Sequence, residues 1–118
     1  MDSINAKLVS YTVMDLSTEA ELEFFISYWE KYASEYVSLL KTKGLIRWRL
    51  NRIWNKEGKF TLSQIYEYRD AEAFKECQAL MDEHFEKEEH RKFFSKINVI
   101  LTTSRAITLL DSDELNLS

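Results

Sequence analysis

The sequence predicts an α+β domain in βαββαβ order, a four-stranded antiparallel sheet with its helices on one face. Three observations carry this. A capped, periodic helix fills residues 19–43, two alternating segments meet at a glycine-bearing turn, and a second helical stretch precedes a threonine-rich closing strand. Proline is absent and glycine occurs only as Gly44 and Gly58, so each glycine is read as an element boundary.

From the N-terminus, Ala6 to Leu16 places Leu8, Val9, Tyr11, Val13 and Met14 among small polar residues, the composition of a strand. Thr18 and Glu21 form a capping box, in which each side chain satisfies the other's free backbone amide. Leu22, Phe25, Ile26, Trp29, Ala33, Tyr36, Val37 and Leu40 then recur at helical spacing, with Gly44 as the C′ residue. Residues 45–54 alternate Ile46, Trp48 and Leu50 with Arg47, Arg49 and Asn51, a strand with two unlike faces. Residues 55–59 supply a hairpin connection, and Phe60 to Tyr68 reads as the returning strand. Asp70 caps a second helix carrying Phe74, Cys77, Met81 and Phe85. A charged stretch follows before Phe93, Phe94 and Ile97 resume the apolar pattern, and Ile100 to Leu110 closes the sheet. Residues 1–110 are therefore expected to form one ferredoxin-like domain, with an acidic, frayed tail over 111–118.

Composition narrows the function classes. A chain of 118 residues has room for one core, and 45% hydrophobic with 31% charged residues is ordinary globular content. A net charge of −4 argues against a phosphate-backbone binder, and Lys59 to Gln64 lacks the glycine-bearing pattern of an RNA-recognition strand. No nucleic-acid partner is expected. Cys77 is the only cysteine, which excludes an intramolecular disulfide and a multi-cysteine zinc site and suits a reducing, cytoplasmic setting. Met1 to Asn5 lacks a signal-peptide pattern, and no apolar run approaches the ~20 residues that span a bilayer. No membrane partner is expected.

The strand faces suggest where chemistry could lie. One parity of the middle hairpin collects Ile46, Trp48, Leu50, Leu62, Tyr66 and Tyr68, and the other collects Arg47, Arg49, Asn51, Ser63, Ile65 and Glu67. That second, semi-polar face is either solvated or meets its own copy across a two-fold axis. Arg47, Arg49 and Arg105 are expected to share it with Glu67, as cross-strand ion pairs more than as an anion site. His84 and His90 are the only histidines. Six residues apart on a continuous helix, they would meet only if the helix breaks between them. The glutamates and lysines around them read as solvated i,i+4 pairs, and no metal or other cofactor is expected. Cys77 reads as inert packing.

From the third strand onward the chain resembles the dimeric α+β barrel proteins related to antibiotic-biosynthesis monooxygenases. The resemblance rests on Tyr68-Arg69-Asp70-Ala71-Glu72-Ala73-Phe74, where an aromatic ends a strand and an Ala-hydrophobic pair opens a helix, and on the spacing of His84, His90 and Phe93. It departs at Cys77, which stands where the family's first histidine falls, two helical turns before His84. The resemblance implies a homodimer closing a barrel with its two sheets, and a pocket between sheet and helices in each subunit. For an enzyme it implies cofactor-independent oxygenation of a small aromatic or polyketide-like substrate. His84 would act as base, and Tyr11, Trp48, Tyr66 and Tyr68 would bind the substrate. The alternative is a non-catalytic homodimeric ligand-binding or stress-related module, and whether the protein is an enzyme is left open.

Overall fold

The computed structural model describes residues 7–55 and 57–117. Its elements are β1 (Leu8–Leu16), α1 (Glu19–Lys41), β2 (Leu45–Arg52), β3 (Phe60–Tyr68), α2 (Ala71–Glu86), α3 (Glu88–Ser95) and β4 (Val99–Ile107), with a 3-10 turn at Ser112–Glu114. The strands form one antiparallel sheet in the order β2-β3-β1-β4, as βαββαβ connectivity requires. Among the described residues no helix is long and apolar enough to cross a membrane.

Both N-caps form, but the Thr18–Glu21 box closes on one side only, because the Glu21 carboxylate accepts the Asn98 amide at 3.1 Å and the Thr18 hydroxyl at 3.4 Å instead of the Thr18 amide. Thr18 Oγ1 accepts the Glu21 amide at 3.1 Å, and Asp70 Oδ1 accepts the Ala73 amide at 2.8 Å. Gly44 closes α1 at φ 105°, a conformation that disfavours any side chain. It also lets α2 approach, since a Cβ at Gly44 would sit 2.5 Å from the Ala73 Cβ.

Three expectations are corrected. A bulge between Leu45 and Arg47 shifts the pleat by one residue, so Leu45 points into the core and Ile46 is 41% exposed. Arg105 does not share a face with Arg47, Arg49 and Glu67. It pairs in register with Ser10, which faces the helices, and its guanidinium lies over the Phe74 ring at 4.8 Å. On the opposite face Glu67 does pair with Arg47 and Arg49, at 3.6 Å and 3.9 Å. Finally, the second helical stretch is two helices, broken at Lys87, whose ψ of 141° is extended.

The core lies between the sheet and α1, around Leu22, Phe25, Trp29, Tyr36, Leu40 and Leu62. It is lopsided. β4 is exposed along nearly its whole length, with Ile100 70% and Leu101 56% accessible. The radius of gyration is 15.9 Å, where a compact chain of this length has about 13.5 Å. The helices pack on β2, β3 and β1 and leave the helix-side face of β4 open, and that opening positions the candidate site.

Candidate functional site

A cavity of about 790 Å³ lies between the helix-side face of the sheet and the three helices, opening toward β4. Its helical walls are mainly aromatic, with Gln78, Asp82, Arg91 and Ser95 as their polar residues. α1 contributes Phe25 and Trp29, α2 contributes Phe74, Met81 and Phe85, and α3 contributes Phe94. These side chains face inward because the helical period that buries Leu22 and Leu40 also carries them over the sheet. The floor is polar, because the inward parity of β1 supplies Ser10 and Thr12, β3 supplies Gln64, Tyr66 and Tyr68, and β4 supplies Thr103 and Arg105.

Hydrogen bonding on this floor has a direction. The Tyr66 hydroxyl donates to Gln64 Oε1 at 2.8 Å, so it accepts from the Tyr36 hydroxyl, also at 2.8 Å. With its oxygen occupied, Gln64 keeps its Nε2 without a partner among the described residues, and the Tyr68 hydroxyl is likewise unpartnered. Both residues are buried, Gln64 to within 4% and Tyr68 completely. Trp29, which also lines the cavity, likewise leaves its indole N–H without a partner among the described residues; each such buried group costs on the order of 1–3 kcal/mol. Burial pushes the Tyr66 hydroxyl up to about 12 and also raises those of Tyr36 and Tyr68 well above the usual phenol range, so all three are neutral donors near pH 7.

The five residues expected at the site separate. Tyr66 and Tyr68 line the cavity. Trp48 shares their sheet face but packs behind them, 5.5 Å from Trp29, with its indole N–H unpartnered among the described residues. Tyr11 does not reach the cavity. It lies on the other face of the sheet, in register with Ile65 and Ser104 and 44% exposed. His84 is 1% exposed and stands one side chain behind the wall, its ring 5.0 Å from that of Tyr36, which lines the cavity.

The break at Lys87 folds α3 back so that the His84 and His90 rings stack at 4.0 Å. His90 Nδ1 shares a 2.6 Å hydrogen bond with the Tyr28 hydroxyl, while neither ring nitrogen of His84 has a partner among the described residues. Burial, then the neighbouring His90, pushes His84 down to about 4, and burial also lowers His90. Both are neutral rings at pH 7. Among the described residues no three His, Cys, Asp or Glu side chains gather into a metal site. Cys77 is buried, its thiol donating to the Leu40 carbonyl at 3.3 Å and raised by burial.

Sequence reasoning did not single out Gln64, and it placed Arg105 on the opposite face of the sheet, with Arg47, Arg49 and Glu67. Gln64 carried a signal, being a polar residue at the inward parity between Leu62 and Tyr66. The face of Arg105 carried no local signal, because the register that turns it toward Ser10 is set by pairing across more than ninety residues.

A family model described as a domain of unknown function, DUF6974, matches residues 5–108. No curated protein matches the chain. Among solved structures, the chain is similar to a dimeric ferredoxin-like protein from an uncultured marine organism, at 31% identity and a TM-score of 0.83, over 90% of this chain and 98% of that one. A second dimeric ferredoxin-like protein from an uncultured marine organism is 25% identical, with a TM-score of 0.79 over 89% of this chain and 96% of that one. SnoaB, a cofactor-independent oxygenase from Streptomyces nogalater, is 13% identical, with a TM-score of 0.57 over 92% of this chain and 99% of that one. At that identity the likeness to the oxygenase is one of fold. The resemblance to the dimeric α+β barrel superfamily thus holds for the architecture.

Proposed function

The chain belongs to the DUF6974 family, and from its cavity we propose that it is a homodimeric protein that binds a planar aromatic small molecule between sheet and helices. One observation carries this reading: a cavity of about 790 Å³ walled by Phe25, Trp29, Phe74, Phe85 and Phe94 over a floor that includes Ser10, Thr12, Gln64 and Tyr66. Flat rings fit aromatic walls by stacking and edge contacts, and the polar side chains of the floor suit a ligand's polar edge. The dimer is supported by the dimeric state stated for two similar structures and by the exposed apolar side chains of β4.

The test is fluorescence titration, since Trp29 lines the cavity. Naphthalene and anthracene derivatives bearing hydroxyl or carboxyl groups should quench it saturably, and Phe74→Ala and Tyr68→Phe should weaken the effect. A flat titration across the panel would remove the binding reading. For the dimer, native mass spectrometry should show two chains, and Tyr11→Glu on the outer sheet face should return one. A wild-type monomer at micromolar concentration would refute it.

A second reading, cofactor-independent oxygenation of the bound ligand, draws on the fold shared with SnoaB. His84 lies outside the cavity lining, so this reading leans on a substrate acidic enough to lose its proton without a histidine in direct contact. Oxygen uptake with a hydroxyanthracene in chelator-treated buffer tests it. One O₂ should be consumed per product in which a ring carbon exchanges two hydrogens for one oxygen atom, the other oxygen leaving as water. Binding without oxygen uptake would leave the protein a binding module.

A further inference from the structure

We infer that a second copy of the chain closes the open side of this cavity, laying its C-terminal segment, residues 109–117, along the helix-side face of β4. The inference rests on the homodimer proposed above and makes the partner's tail a wall of the binding site.

β4 is the element that its own chain leaves uncovered. It is an edge strand, exposed from Ile100 to Ile107, so both faces and one row of backbone groups are open. Toward the helices it presents Leu101, Thr103, Arg105 and Ile107, a cation between apolar ends. A partner seated on the outer sheet face stands one strand edge away from these side chains. The tail of the same chain is led elsewhere. The Thr108 amide donates to the Lys7 carbonyl at 2.8 Å, and Asp111 pairs with Lys7 Nζ at 3.5 Å, which carries the segment past the end of β1. Leu109, Leu110, Leu115 and Leu117 are left exposed there.

The tail carries the complementary pattern. Leu109 and Leu110 precede Asp111, Asp113 and Glu114, and Leu115 and Leu117 follow them. Arg91 of α3 and Arg105 of β4 both line the cavity, and both are exposed. Among the described residues neither has a carboxylate within ion-pair distance, whereas Arg47, Arg49, Arg52 and Arg69 all have one. Asp113 and Glu114 are equally without a cation among the described residues, unlike Asp111. Two arginines against Asp82, which accepts the Gln78 amide at 3.3 Å, leave this side of the cavity positive. The arginines stand on different elements, so successive carboxylates of an extended segment meet them separately. Leucines on Leu101 and Ile107 bury apolar surface on either side of those pairs, which sets the direction of the segment. Nine residues of extended chain span about 30 Å, the length of the nine-residue β4.

Cross-linking tests the placement. Thr103→Cys, combined in turn with Leu115→Cys and Leu117→Cys in a Cys77→Ala background, supplies thiols on the strand face and on the tail. A short bismaleimide should convert the dimer into covalent two-chain species. Peptide mapping should join position 103 of one chain to position 115 or 117 of the other. Links within one chain, or no link to the tail in protein that native mass spectrometry shows to be dimeric, overturn the inference and leave the dimer standing. A wild-type monomer overturns both. Charge variants of the exposed residues give a second, independent readout by analytical ultracentrifugation. Asp113→Asn with Glu114→Gln should raise the dimer dissociation constant roughly 10-fold, as should Arg91→Gln with Arg105→Gln. All four changes together should cost little more than either pair, because both pairs break the same contacts. Losses that multiply in the fourfold variant, or a constant unchanged by either pair, overturn the inference.

Discussion

The stacked histidines make stability depend on pH in a window where few other groups titrate. His84 is 1% exposed with neither ring nitrogen bonded, and burial plus His90 pushes it from 6.5 down to about 4. In the unfolded chain the ring takes its proton near 6.5, while in the folded protein it resists until about 4. The unfolded state therefore binds more protons across that interval, and stability falls as pH falls. The contribution is complete above 6.5 and shrinks by about 1.4 kcal/mol for each pH unit below it. At pH 5 the loss from His84 alone is about 2 kcal/mol, against a typical total of about 5–15 kcal/mol. His90, lowered in the same direction, adds to it. The groups facing the pair are Tyr28, Tyr32, Glu35, Tyr36, Lys87 and Glu89. Urea unfolding followed by far-ultraviolet circular dichroism at pH 7, 6 and 5 should show the midpoint falling at constant slope. His84→Phe keeps the ring volume and removes the titration, so it should flatten most of that dependence. Equal midpoints at pH 5 and 7 in the wild type, or an undiminished fall in a folded His84→Phe protein, would refute the buried-neutral assignment.

Three further perturbations follow from local geometry. Gly44→Ala forces a side chain onto a φ of 105° and a Cβ to within 2.5 Å of Ala73, costing about 3 kcal/mol and lowering the melting temperature by roughly 10–20 °C; a shift under 3 °C would show that α2 yields freely. Tyr28→Phe leaves buried His90 Nδ1 without its 2.6 Å partner and should destabilise by about 1–3 kcal/mol in denaturant titration. If stability is unchanged, the hydrogen bond is not made in solution. Asp70→Ala removes the acceptor for the Ala73 amide at the start of α2. It should lower the melting temperature by several degrees, with Asp70→Ser restoring most of it.

The sequence by itself determined the element order, the caps and the stop at Gly44, because each depends on residues within a few positions of one another. The N-caps at Thr18 and Asp70, the helical spacing from Leu22 to Leu40 and the two-residue alternation of β2 and β3 are local signals, and the fold they imply is the one observed. Tyr66 and Tyr68 were legible for the same reason, since parity along one strand places them. What the chain could not declare was decided by contacts between distant segments. A single bulge at Ile46 moved β2 by one residue relative to β3 and exchanged which side chain entered the core. Register against β1 put Arg105 on the cavity side and Tyr11 on the outer side, although both alternate as the sequence suggests. The break at Lys87 turned two histidines that a straight helix would separate into a stacked pair, and drew His84 in behind Tyr36. A strand's period fixes which residues share a face, but only pairing with its neighbours fixes which face is covered. The cavity exists because the helices stop short of β4, and that is a property of how the layers pack rather than of any one segment.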